Sequence, residues 1–186
     1  YNTALSYHEK ALAIREKLLG EKHTDIAESY NNIGDTYLRN GVHDTALDYH
    51  NRALDIRKEL LGEKHVFTAT SYSNIGEVYW KKGCFDKALK YHDKALAIRK
   101  ELLGEKHPSI ATSYNNIGLV HSDKGDYDTA LVFYDKALAI QKELLGEKHP
   151  DTAASYSNKG VIYWKKRDYD TALAFYDKAL SIQKEL

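Results

Sequence analysis

Four asparagines, Asn32, Asn74, Asn116 and Asn158, recur at intervals of 42 residues. A side-chain amide offers a donor pair and an acceptor. Repeated in register, such amides suit the backbone N–H and C=O groups of an extended peptide, or they bond neighbouring helices and fix their stacking. Four histidines, His23, His65, His107 and His149, keep the same interval. Packed helices lie about 10 Å apart and a zinc–nitrogen bond is about 2 Å, so single histidines one repeat apart cannot share an ion. They read as loop residues near helix starts, and no metal site is assigned. His8, His50 and His92 share one register position with Tyr134 and Tyr176, which predicts half-buried packing. Cys84 follows Gly83 where other repeats carry Val42, Asp126 and Asp168, and reads as a turn residue. No phosphate loop, nucleotide fingerprint or zinc-protease motif occurs, so no cofactor and no catalytic residue is assigned. The acidic residues sit four positions from lysines, the pattern of a solvated helix face.

The totals exclude other classes. Basic and acidic residues balance at 27 each over 186 residues. Nucleic-acid binders neutralise phosphates with excess positive charge, so neither nucleic acid nor an anionic membrane is expected as partner. One cysteine allows no internal disulfide and fits a reducing, cytoplasmic setting. No apolar run of about 18 residues is present. The sequence opens at Tyr1 inside a repeat and stops where a further LGEKH would stand, so it reads as a piece of a longer array.

The elements that must position these residues are set by the string LGEKH at residues 19–23, 61–65, 103–107 and 145–149. A strict period of 20–50 residues marks stacked supersecondary units. The chain divides into an opening segment, 1–18, and four repeats, 19–60, 61–102, 103–144 and 145–186, read together as one repeat domain over 1–186. In the first repeat Ile26, Ala27, Tyr30, Ile33, Gly34 and Tyr37 follow helical spacing over residues 26–40. Gly41 ends that helix, since glycine takes the left-handed conformation without steric cost. A wider stripe, Ala46, Leu47, Tyr49, Ala53, Leu54, Ile56, Leu60 and Leu61, predicts a second helix over residues 44–61. Pro108 and Pro150 suit a first helical turn. Asp25, Ser109 and Asp151 stand where a short polar side chain can meet free backbone donors. The opening segment matches the second helix of a repeat. The expectation is nine helices, no strand, and antiparallel neighbours joined by short links.

Both HEAT-like and lengthened tetratricopeptide repeats fit this period, and the small residues decide between them. Tyr30, Ile33, Gly34, Tyr37, Ala46 and Ala53 carry the tetratricopeptide spacing. It returns as Tyr72, Ile75, Gly76, Tyr79, Ala88 and Ala95, then as Tyr114, Ile117, Gly118, His121, Ala130 and Ala137, then as Tyr156, Lys159, Gly160, Tyr163, Ala172 and Ala179. The whole chain resembles the 42-residue tetratricopeptide repeats of kinesin light chains and nephrocystin-like proteins. The resemblance implies an all-α, right-handed α-solenoid whose concave surface is lined by the first helix of each pair. It further implies a non-enzymatic scaffold that binds an extended peptide or a partner helix within a cytoplasmic adaptor. Lys159 departs from isoleucine in the last repeat, whose outer face is expected to be partly solvated. His121 departs from tyrosine and is expected to pack.

Rotation by about 100° per residue locates the free face. With Tyr30 at the buried centre, Glu28, Asn31, Asn32, Asp35 and Arg39 point away. The equivalents are Ser73, Asn74, Glu77, Trp80 and Lys81; Asn115, Asn116, Leu119, Ser122 and Asp123; and Ser157, Asn158, Val161, Trp164 and Lys165. Trp80 and Trp164 are candidate anchors, since indole buries a large area and keeps one donor. Lys81, Lys82, Lys165, Lys166 and Arg167 complement helix C-termini and would form a basic rim. The lysine and first asparagine of the tail-binding clamp in some tetratricopeptide domains would fall at Asn31 and Asp35, or at Ser73 and Glu77, so that clamp is not expected. The second functional reading is a structural spacer or an array that self-associates through its terminal repeats.

Overall fold

The computed structural model describes residues 2–184. Among the described residues the order is α1 (Asn2–Leu19), α2 (Thr24–Arg39), α3 (His43–Leu61), α4 (Val66–Lys81), α5 (Phe85–Leu103), α6 (Pro108–Lys124), α7 (Tyr127–Leu145), α8 (Pro150–Lys165) and α9 (Tyr169–Lys184), with no strand. The helices pack as antiparallel pairs, α2 with α3, α6 with α7 and α8 with α9. Two compact halves are formed, Tyr1–Ile98 and Arg99–Leu186.

Each first helix meets its mate through glycine. A Cβ on Gly34 would lie 2.8 Å from the His50 ring, and one on Gly118 would lie 2.8 Å from Tyr134. The missing side chain is the space the ring occupies. His50, His92 and Tyr134 are therefore fully buried rather than half-buried, while His8 and Tyr176 keep intermediate exposure. Stacked rings close the same seam: Tyr37 on Tyr49, Tyr79 on Tyr91 and Tyr163 on Phe175. His121 keeps the arrangement by stacking on Phe133 at 5.6 Å and 9°. Tyr30 is not the buried centre. Ile26, Ala27 and Ile33 are fully enclosed, and the half-buried Tyr30 extends its hydroxyl to Glu16 Oε1 at 3.2 Å. The last repeat does leave Leu173 and Leu180 exposed on α9, while Lys159 is half-buried, with a side chain only 12% exposed. Its stem crosses the face of Phe175, and its ammonium reaches Asp135 at 2.5 Å. A long stem can bury while its head finds a charge.

The LGEKH string has a fuller role than a polar link. His23, His65, His107 and His149 are the N-caps of α2, α4, α6 and α8, and each Nδ1 accepts the backbone N–H two residues on, at 3.1 Å. The histidines thus take the capping place expected of Asp25, Ser109 and Asp151. Those residues, like Phe67, supply the capped N–H. The glutamate is pinned as well. Glu63 pairs with Lys58 at 2.9 Å and accepts the Tyr72 hydroxyl. Burial first, then the bond to Glu63, pushes the Tyr72 phenol up to about 12. The leading leucine contributes less: Leu19 and Leu145 stay exposed.

A second recurring bond joins successive repeats. Arg15, Arg57 and Arg99 donate to Ser29, Ser71 and Ser113 at 2.7, 2.8 and 2.7 Å. In the last repeat Ser155 donates to Gln141 at 2.5 Å. Each bond runs between a second helix and the first helix that follows. Arg57 is only 8% exposed, and burial pulls its guanidinium below its usual value.

Gly41, Gly83 and Gly125 take φ of 74°, 71° and 92° after their first helices, whereas the same place in the last repeat holds Arg167 at φ 65°. A side chain in that region costs roughly 1–2 kcal/mol. Part of that is returned because arginine restricts the unfolded chain more than glycine does. Arg167→Gly is expected to stabilise the protein by about 0.5–1 kcal/mol, read as a rise in Tm by circular dichroism. An unchanged or lower Tm would contradict it.

Candidate peptide-binding face

The face of interest lies on the first helices, away from the second-helix rings. In the N-terminal half it is carried by α2 and α4. Their C-terminal halves border a cleft of about 580 Å³ lined by Asp35, Leu38, Arg39, Gly41, Asn74, Glu77 and Lys81. Nearer the N-termini a cleft of about 420 Å³ is lined by Glu28, Asn31, Asn32, Phe67 and Thr70, with Arg57 among its walls. One polar crossing ties α2 to α4, and a bond within α2 extends it. Asn74 Nδ2 donates to Asn31 Oδ1 at 2.5 Å, and Asn31 Nδ2 donates to Asp35 Oδ2 at 3.2 Å. Burial, with Glu77 next, holds the Asp35 carboxyl above the usual carboxylate range against the smaller opposing pull of Arg39.

The asparagines are therefore not four equal rungs. Asn74 is committed to the neighbouring helix, and its partner is Asn31 rather than Asn32. The side chains of Asn32, Asn116 and Asn158 make no hydrogen bond among the described residues and stay half-exposed. Ser73 does not belong to the free face: it is 7% exposed. Its register position lies in the crevice between successive first helices, where Asn31 meets Asn74 and Asn115 Nδ2 reaches Ser155 at 3.5 Å. A short side chain there is covered by its neighbours. Trp80 is half-buried, with the Lys81 ammonium 4.0 Å from its ring centre.

In the C-terminal half the same face, on α6 and α8, is less charged. Leu119 and Ser157 are half-exposed, Val161 is exposed, and Trp164 is 58% exposed. Asn115 Oδ1 is buried without a partner. Ser122 is buried, and Lys165 bonds both Ser122 and Asp123 at 3.0 Å. The basic rim is largely neutralised. Lys82 pairs with Asp44, and Lys166 pairs with Asp128 at 2.6 Å. Among the described residues no three His, Cys, Asp or Glu side chains converge on a metal position, and no helix is long and apolar enough to cross a membrane. The buried Arg57–Ser71 bond was not foreseen from the sequence. Its signal was present as Arg15, Arg57 and Arg99 facing Ser29, Ser71 and Ser113 at a constant 14-residue offset.

Comparison with known proteins places this geometry. No curated protein shows significant sequence similarity to the chain. The crystal structure of BtubC (BKLC) from P. vanneervenii superimposes with a TM-score of 0.82 at 29% identity, covering 99% of this chain and 73% of that one. A kinesin-light-chain-like protein of Podospora anserina with nearly identical TPR-like repeats gives 0.76 at 22% identity, covering 99% and 87%. The Rap conjugation gene regulator of plasmid pLS20, in complex with the Phr* peptide, gives 0.79 at 20% identity, covering 97% and 48%. The tetratricopeptide repeat family profile matches residues 1–59, 25–83, 67–140 and 109–185. With the glycine-to-ring seam in all four repeats and that profile along the chain, the protein belongs to the tetratricopeptide repeat family.

Proposed function

We propose that this chain is a non-enzymatic scaffold, part of a cytoplasmic adaptor, whose first helices hold an extended peptide or a partner helix. The observation that carries the reading is the state of the free face in the C-terminal half. Trp164 stands 58% exposed on the same helix face as the half-exposed amide of Asn158 and the exposed Val161. An uncovered indole beside amides without partners offers apolar area and backbone hydrogen bonds together, the combination found at binding hot spots. The candidate contacts are Asn31, Asn32, Asp35, Arg39, Asn74, Glu77, Trp80 and Lys81 in one half. In the other they are Asn115, Asn116, Leu119, Ser157, Asn158, Val161, Trp164 and Lys165. The pLS20 Rap regulator, a complex with the Phr* peptide, lends support by likeness of fold.

Peptide-library selection tests this. Wild type is expected to enrich ligands, and Trp164→Ala with Asn158→Ala is expected to weaken them by about tenfold or more. Asn74→Ala is expected to act differently, lowering stability because its amide is committed to Asn31. Ligands that bind the Trp164/Asn158 variant as tightly as wild type would remove this face from the function. A second reading, self-association, draws on the exposed Tyr7, Ile14 and Leu18 of α1 and Leu173 and Leu180 of α9. Concentration-dependent mass by sedimentation would favour it, and a strict monomer would end it.

A further inference from the structure

We infer that the cleft between α2 and α4 is a subsite for a basic side chain of a bound peptide, lysine or arginine, received between Asp35 and Glu77. The inference rests on the peptide-binding reading and adds the ligand's charge.

The geometry begins with Asp35. One carboxylate oxygen is held by Asn31, and Asn31 is held in turn by Asn74 of the next repeat. The carboxylate is thus fixed by an amide relay that spans two helices. Beneath it the fully buried His50 ring brings Nε2 to 3.5 Å from Asp35 Oδ1, yet both ring nitrogens lack hydrogen-bond partners. The ring faces the carboxylate without satisfying it. Asp35 Oδ1 is left with acceptor capacity and no aligned donor.

Glu77 lies on the α4 side of the same cleft. No cation stands within ion-pair distance of Asp35 or Glu77 among the described residues. Arg39 and Lys81 border the cleft one helical turn further along, and the Lys81 ammonium sits over Trp80 instead. Burial and Glu77 outweigh Arg39, Arg57 and His8 at Asp35, so the local balance at this carboxylate disfavours negative charge. An entering cation relieves the desolvation and the repulsion together. At the same register the C-terminal half carries Leu119 and Val161. The chain therefore has this carboxylate pair once, and a ligand would be read for charge at one place along its length.

The test uses N-acetylated, C-amidated glycine–serine pentapeptides with a central arginine or a central glutamate, titrated into the 15N-labelled 186-residue chain. The arginine peptide is expected to shift α2 and α4 amides saturably and to bind about tenfold tighter than the glutamate peptide. Asp35→Asn with Glu77→Gln, both near-isosteric, is expected to abolish that preference. Equal or tighter binding of the glutamate peptide overturns the inference, as does no saturable shift, or a preference kept in the double variant. Library ligands that need Trp164 and Asn158 but carry no basic residue would overturn it while leaving the peptide-binding reading intact.

Discussion

Arg57→Ala is expected to destabilise the protein by about 2–4 kcal/mol. The guanidinium donates to Ser71 Oγ at 2.8 Å and to the Phe67 carbonyl at 3.3 Å from a buried position. Truncation strands a buried hydroxyl, at roughly 1–3 kcal/mol, and empties the volume of the side chain. Some of the loss is recovered, because the folded protein no longer desolvates a charge. Desolvation is the leading cause of Arg57's lowered value, with Glu28 and Asp35 opposing it. The protein also supplies its own control. Gln141 meets Ser155 at 2.5 Å in the equivalent place without any charge. Arg57→Gln is therefore expected to keep about half or more of the stability lost by alanine. In a repeat array stability is a sum of repeat and nearest-neighbour terms. Breaking this bond weakens the junction of the first two repeats and is expected to lower the urea m-value as the transition loses cooperativity. Urea unfolding of the three proteins decides the matter. An alanine variant within about 0.5 kcal/mol of wild type would show that the bond is incidental.

Acidification from pH 6.5 to about 4 is expected to remove about 3 kcal/mol of stability through His50 alone. The imidazole is enclosed against Gly34, and burial, with a smaller contribution from Arg57, lowers its value from 6.5 to about 4. The folded protein thus resists a proton that the unfolded chain accepts. This contribution is intact above pH 6.5 and is lost as the pH falls through the window to about 4. Asp35, facing the ring at 3.5 Å, works in the opposite direction: its raised value means the folded state takes up that proton more readily, offsetting part of the loss at the acid end. Tyr134 fills the same place against Gly118, so His50→Tyr keeps a ring there and removes the titration. The variant is expected to lose most of the acid dependence between pH 6.5 and 4. Chemical denaturation at stepped pH measures it. Parallel slopes for wild type and variant would assign the acid sensitivity elsewhere.

The sequence by itself determined the period, the helices, their ends and the family. Those features are local or strictly repeated. Helical spacing needs only residues three and four apart, glycine at positive φ needs only its own backbone, and the glycine and alanine positions recur in every repeat. The same rules proposed a free face, since rotation about one helix axis indicates which side its mate leaves uncovered. They could not settle how one first helix meets the next. That depends on the phase between helices far apart in sequence, and no periodicity encodes it. The tertiary structure turned Asn74 onto Asn31 and covered Ser73. It also buried Arg57, a residue whose type and charge place it on a solvated surface in any reading confined to one helix. Burial of a polar group is decided by what packs on it from outside its own element, and here the following repeat supplies that cover.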